Sequence, residues 1–199
     1  MRWPKAALAR AHPAPESRLS RTLLLLLLLI APAVAGAHPA ERHGADLVHF
    51  SKPVLAPEFQ APTPDNAVLR LADYRGKVVL LNFWATWCPP CIQEMPSMQR
   101  LYARLAPQGL VVLGVSLDED GAKRVIPFLA RLKLTFPVAL DPEQEIAGRY
   151  GASNLPMTFL IDPEGKVIAA AVGGRDWESP AILDYLTELL GAGSPGKSG

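Results

Sequence analysis

The sequence predicts an α/β fold, a sheet covered on both faces by helices, and three observations predict it. "KVVLLNFW" and "GLVVLGVSL" are nearly continuous apolar runs, the mark of strands buried on both faces. Between and after them, apolar residues recur at helical spacing. The later segments "MTFLI" and "KVIAAAV" flank the turn signal Asp162-Pro163-Glu164-Gly165 and read as a hairpin. Strand-helix-strand followed by a hairpin and a helix is a covered α/β sheet. At 199 residues the chain has room for one domain plus extensions.

Taken in order, the chain begins with a segment to about Ala37 that reads as an export signal. Arg18 and Arg21 precede "TLLLLLLLIAPAVAGA", and the apolar run ends in small residues suited to cleavage. The run is short of the roughly 20 apolar residues of a spanning helix. A cleaved signal peptide over 1–37 and a retained N-terminal membrane anchor are the two readings. Either places the folded part in an oxidising compartment, the periplasm or its equivalent. Residues 38–56 are rich in Pro, Ala and His without periodicity and read as a flexible linker that becomes ordered near Phe59. The folded domain is expected over 57–190, and 191–199, "GAGSPGKSG", reads as a disordered tail.

Within the domain, Ile92, Met95, Met98, Tyr102 and Leu105 mark a helix after the first strand. "AKRVIPFLARL" reads as a helix with Pro127 inside it, "FPVAL" as a short strand and "EQEIAGRY" as a short helix. "SPAILDYLTELL" is an amphipathic closing helix, with Ser179 at the N-cap and Pro180 at the first helical position. The net charge of +1 and the lack of a basic block after the N-terminus give no sign of a nucleic-acid partner.

The only cysteines are Cys88 and Cys91, in "NFWATWCPPCIQEMP". A structural disulfide closing so short a loop restricts the unfolded chain by only about 2 kcal/mol, against about 4.7 for a loop of 100 residues. A structural zinc site needs four ligands, and the histidines, His12, His38, His43 and His49, all lie in the leader or linker. Two thiolates could hold Cu(I). The third reading is redox chemistry. Cys88 follows a buried strand through Ala85-Thr86-Trp87, and a helix begins at Pro89. That places Cys88 at a helix N-cap, where the dipole and free N–H groups favour a thiolate. Cys91 lies about one turn in, within reach of a disulfide. An exposed Cys88 attacks a substrate disulfide and Cys91 resolves the mixed disulfide.

"FWATWCPPC", "EMP", "VSLDED", "LPMTFLIDPEGKV" and "GGRDW" together resemble the thioredoxin superfamily, and within it the TlpA/ResA-like extracytoplasmic thiol-disulfide oxidoreductases. The resemblance covers about Pro57 to Leu190. It implies a thioredoxin-like fold: a central mixed sheet flanked by helices, built on a four- or five-stranded thioredoxin core, with an N-terminal β-hairpin and an inserted βα element near Gly121–Asp141. It also implies reduction of disulfides in exported proteins, such as cytochrome c apoproteins or copper-site assembly proteins, with electrons from a transmembrane thiol carrier. No cofactor or metal is expected, since the cysteine pair carries the two electrons; a monomer is expected. A copper-binding accessory protein and a thioredoxin-like thiol peroxidase are the alternatives.

Further positions follow. Pro156 is either an ordinary proline before a strand or, as the resemblance implies, a cis proline facing the cysteine pair, leaving the backbone of Leu155 free for an extended substrate. Glu94, three residues after Cys91, shares its helix face. It is either a surface carboxylate or a buried base for Cys91 with a raised pKa, and the resemblance favours the base. Asn82 stands where cytoplasmic thioredoxins carry a buried aspartate, so Glu94 is expected to take over its proton handling. Pro89 and Pro90 each remove an N–H from the neighbourhood of Cys88 and leave that of Cys91. The Cys88 thiol is therefore expected nearer about 7 than the about 3.5 of a strong oxidant, which makes the protein a reductant. Trp87 is expected to line the substrate surface, Trp84, Met95 and Met98 to be core, and "GGRDW" to shape a loop near the site without an assigned chemical role.

Overall fold

The computed structural model describes residues 46–192. The leader (1–37), residues 38–45 of the predicted linker and the tail from 193 lie outside the described residues. Among the described residues, eight strands and four α-helices follow one another as β1 (Val48–Leu55), β2 (Gln60–Pro62), β3 (Val68–Arg70), β4 (Val78–Trp84), α1 (Pro89–Leu105), β5 (Leu110–Ser116), α2 (Ala122–Leu132), β6 (Val138–Leu140), α3 (Glu145–Tyr150), β7 (Met157–Ile161), β8 (Lys166–Val172) and α4 (Pro180–Ala192). Among the described residues no helix is long and apolar enough to cross a membrane.

The main sheet has six strands in the order β1-β8-β7-β4-β5-β6, and β2 with β3 forms a separate antiparallel hairpin. β4, β5 and β6 run parallel, joined by α1 and α2, while β7, β8 and β1 are antiparallel. The expected mixed sheet, N-terminal hairpin and inserted βα element (α2 and β6) are all present. The hairpin turn closes as its residues dictate: Gly165 takes φ 80°, and the Asp162 carboxylate accepts from the Lys166 N–H at 2.7 Å.

One correction follows from β1. The segment read as a flexible linker over 38–56 contains a strand, which together with β6 of the inserted element brings the sheet to six strands. β1 pairs with β8 from Val48↔Ala170 to Leu55↔Lys166, with a register shift between His49 and Val54. Every one of its residues is exposed. Its order comes from backbone pairing to a sheet edge, which leaves no hydrophobic periodicity to read.

β4 shows how the layers are built. Its residues are all buried, and successive side chains alternate between two cores. Val78, Leu80 and Trp84 pack with Met95, Met98 and Leu101 of α1, Phe128 of α2 and Ile182 and Leu186 of α4. Val79, Leu81 and Phe83 pack with Phe59, Ala61 and Leu69 of the β2–β3 region and Ile146 of α3. The same alternation puts Asn82 on the α1 and α4 side, directly beneath the helix that carries the cysteines.

Candidate active site: a cysteine pair at the mouth of helix α1

β4 ends at Trp84, and the chain reaches Cys88 through Ala85, Thr86 and Trp87. Cys88 has an extended backbone (φ −93°, ψ 106°) and caps α1, whose first two residues are Pro89 and Pro90. Proline is tolerated there because helix-start N–H groups lack intrahelical partners anyway. The Cys91 N–H is left to donate to the Cys88 sulfur, at 3.3 Å. Cys88 and Cys91 are joined in a disulfide with Cα atoms 5.3 Å apart. The expectation of an exposed Cys88 is corrected: it is 4 % exposed and Cys91 is fully buried. Trp87, Pro89 and Pro90 beside it are exposed, so the linked pair lies just under the surface and Cys88 is its outer member.

The turn before the cysteine is held by Asp118, two residues past the end of β5. Its carboxylate accepts from the Thr86 backbone N–H (3.0 Å), the Thr86 hydroxyl (2.5 Å) and the Ser116 hydroxyl (2.8 Å). Trp87, 64 % exposed, forms with Thr86, Asp118, Glu119, Asp120 and Arg124 the wall of an open cleft of about 460 Å³.

The Leu155–Pro156 peptide bond is cis. Pro156 precedes β7, whose Met157 pairs with Phe83 near the end of β4, so this bond lies at the same end of the sheet as the cysteine turn. Pro156 is buried, and Leu155 packs against the core cluster that includes both cysteines.

Glu94 is 1 % exposed. Asn82, in register with Thr158 on β7, donates its amide to Glu94 Oε1 at 2.9 Å and to Thr158 Oγ1 at 2.9 Å. The indole N–H of Trp177 donates to Glu94 Oε2 at 3.0 Å. Burial pushes the Glu94 carboxyl up to about 7, against the pull of these donors and of Arg175. Sequence reasoning found Glu94 and Asn82 but missed Trp177, Ser97, Thr158 and Asp118. The motifs "GGRDW" and "VSLDED" flagged the stretches holding two of these. Nothing local says that an indole 83 residues downstream reaches this carboxylate. Among the described residues no group of three or more His, Cys, Asp or Glu is placed to hold a metal ion.

A vicinal cysteine pair capping the helix after the central strand of such a sheet defines a thioredoxin-fold protein built for thiol-disulfide exchange. The comparisons agree. The AhpC/TSA family matches residues 54–170. The chain is 41% identical over 147 residues to the thiol-disulfide oxidoreductase ResA of Geobacillus thermodenitrificans, covering 74% of this chain and 82% of that protein. It is 37% identical over 131 residues to ResA of Bacillus subtilis, covering 66% and 72%. A thiol:disulfide interchange protein of the thioredoxin family from Chlorobium tepidum superposes with a TM-score of 0.61 at 28% identity, over 71% of this chain and 99% of that one. The chain belongs to the AhpC/TSA family of the thioredoxin superfamily, among its ResA-like thiol-disulfide oxidoreductases.

Proposed function

We propose that this oxidoreductase works outside the cytoplasm, where it reduces a disulfide in an exported protein such as a cytochrome c apoprotein or a copper-site assembly protein. The observation that carries the reductive direction is the sparse donor set around Cys88. The sulfur receives one N–H, from Cys91, because Pro89 and Pro90 have none to give. A thiolate with few donors is a poorly stabilised one, and its disulfide is correspondingly favoured.

The reaction balances on the cysteine pair, with no cofactor. The Cys88 thiolate attacks one sulfur of the target disulfide, and the second target sulfur leaves as a thiolate. Cys91 then gives up its proton and attacks Cys88, releasing the target's other thiolate and closing the Cys88–Cys91 bond. Two electrons pass to the target. A dithiol donor, for which a transmembrane thiol carrier is the expected source, returns the pair to its reduced form. Glu94, on the Cys91 face of α1 and poised near neutrality, takes the Cys91 proton directly or through water. The side chain of Trp87 and the backbone of Leu155 beside cis-Pro156 offer the target an aromatic surface and an edge to lie along.

A Cys91→Ser variant cannot resolve the mixed disulfide, so it should hold its target through Cys88. Mass spectrometry of the trapped species from an exported fraction should identify one or a few thiol proteins. Absence of any Cys88-dependent adduct, with no reduction of insulin disulfides by the wild type, sinks the proposal. Stoichiometric retention of Cu(I) under those conditions, or rapid turnover of hydrogen peroxide, would replace it with one of the two alternatives.

A further inference from the structure

The loop Gly173–Trp177 between β8 and α4 meets the site at three points. Its first residue donates a backbone N–H to the Pro156 carbonyl at 2.9 Å. Gly174 lies so close to the first turn of α1 that a Cβ there would stand 2.7 Å from the Pro90 carbonyl oxygen. Trp177, fully buried, donates its backbone N–H to Ser97 Oγ at 3.1 Å and its indole N–H to Glu94 Oε2 at 3.0 Å. Ser97 Oγ in turn donates to the Glu94 carbonyl at 2.8 Å, so main chain and carboxylate of Glu94 are both tied to the same tryptophan.

The two donors on the carboxylate are not equivalent. The Asn82 amide can turn over and present its oxygen, which is buried without a partner, to a protonated Glu94. The indole N–H can only donate. It therefore favours the carboxylate form at all times, and the Ser97 contact prevents it from drifting away. Arg175, from the same loop, also acts on Glu94, first through its backbone N–H and then through its cation. β4 and β7 contribute the neutral Asn82 and Thr158, and α1 the cystine. Arg175 is itself held by the Asp46 and Val172 carbonyls at 2.8 and 3.2 Å, with its guanidinium 5.4 Å from the Trp177 ring centroid.

We propose that Trp177 is a positioning residue: with its backbone N–H anchored on Ser97, its indole N–H holds the Glu94 side chain in place and biases it toward the ionised form in which it can accept a proton. The role deepens the proton-acceptor reading of Glu94 and rests on it for its effect on exchange.

The test uses the oxidised full chain with glutamate labelled by ¹³C at Cδ, and Glu94→Gln to assign the Glu94 signal. In Trp177→Phe, which keeps the ring and deletes the donor, the Glu94 midpoint should rise by about one pH unit. Ser97→Ala, which leaves the indole but frees the loop, should raise it by less. The pH profile of mixed-disulfide resolution should move with the midpoint in the Glu94 background and not move in Glu94→Gln. An unmoved midpoint in a folded Trp177→Phe overturns the inference. If that variant does not fold, an unmoved midpoint in Ser97→Ala overturns it. A shifted rate profile with an unmoved midpoint also overturns it, since Trp177 would then act by another route. A shifted midpoint with an unmoved rate profile supports the control of Glu94 by Trp177 and overturns the proton-acceptor role.

Discussion

Asp118 and Glu94 are both buried carboxylates, 2 % and 1 % exposed, and both serve the segment that carries the cysteines. Asp118 collects three donors, a backbone N–H and two hydroxyls, two of them from Thr86 in the turn that leads to Cys88. It spans two strand ends and fixes the approach to the nucleophile. Glu94 receives two side-chain donors, one of which can turn over, and burial lifts it to about 7. It sits one helical turn beyond Cys91, where a proton must leave. The contrast shows that burial alone does not assign a carboxylate its task. What matters is which donors reach it, whether they can reverse, and what covalent neighbour it shares a face with.

The largest effect expected from this contrast is on stability. Folded Glu94 keeps its proton up to about 7, whereas its ordinary value is 4.5. Its contribution is complete below 4.5 and is lost as the pH rises through about 7, because above that the fold must hold a buried charge. Denaturant unfolding of the oxidised protein should show a fall of roughly 3 kcal/mol across that window. Glu94→Gln should flatten it. An equal slope in both proteins would remove Glu94 from the account.

Next in size is the rate of resolution. Glu94→Gln should slow attack of Cys91 on the mixed disulfide by about a hundredfold at neutral pH, the lower range for a general base. It should also abolish the rise in rate with a midpoint near 7. Stopped-flow decay of a Cys88 adduct measures it, and an unchanged profile would break the distinction between the two carboxylates.

Asp118→Asn should behave differently. It weakens the clamp on Thr86 and should cost about 1–2 kcal/mol of stability, with a lower exchange rate but the wild-type shape of the pH profile. A displaced profile would mean that Asp118 also handles protons.

The smallest effect approaches the site from the sulfur. Pro90→Ala adds a backbone N–H at the second helical position, where it can reach the Cys88 thiolate. The Cys88 pKa should fall by about half a unit to one unit, read by thiolate absorbance. No fall would show that the prolines act through helix geometry rather than through a missing donor.

Much of this architecture was legible beforehand because it is written locally. β4 and β5 are unbroken apolar runs, Asp162–Gly165 can only turn, and Ser179-Pro180 announces α4. The cysteine turn was legible for the same reason: strand, short loop, cysteine, proline. What escaped had no local sign. β1 is exposed along its whole length and ordered by the edge of β8, and its sequence shows no alternation. The accessibility of Cys88 was misjudged because a helix N-cap faces solvent only if nothing else packs there, and this pair is incorporated in the core cluster on the α1 side of the sheet.

By itself, then, the sequence determined the chemistry on offer: two thiols one turn apart at a helix mouth, prolines that withhold N–H groups, and a carboxylate on the same face. Helix and strand periodicity are properties of a few consecutive residues, so they can be read from a line of letters. Only the tertiary structure decided what state that carboxylate is in. Its proton affinity depends on the loss of water and on donors from β4 and the β8–α4 loop, 12 and 83 residues away along the chain, which meet it only when the sheet closes under the helix.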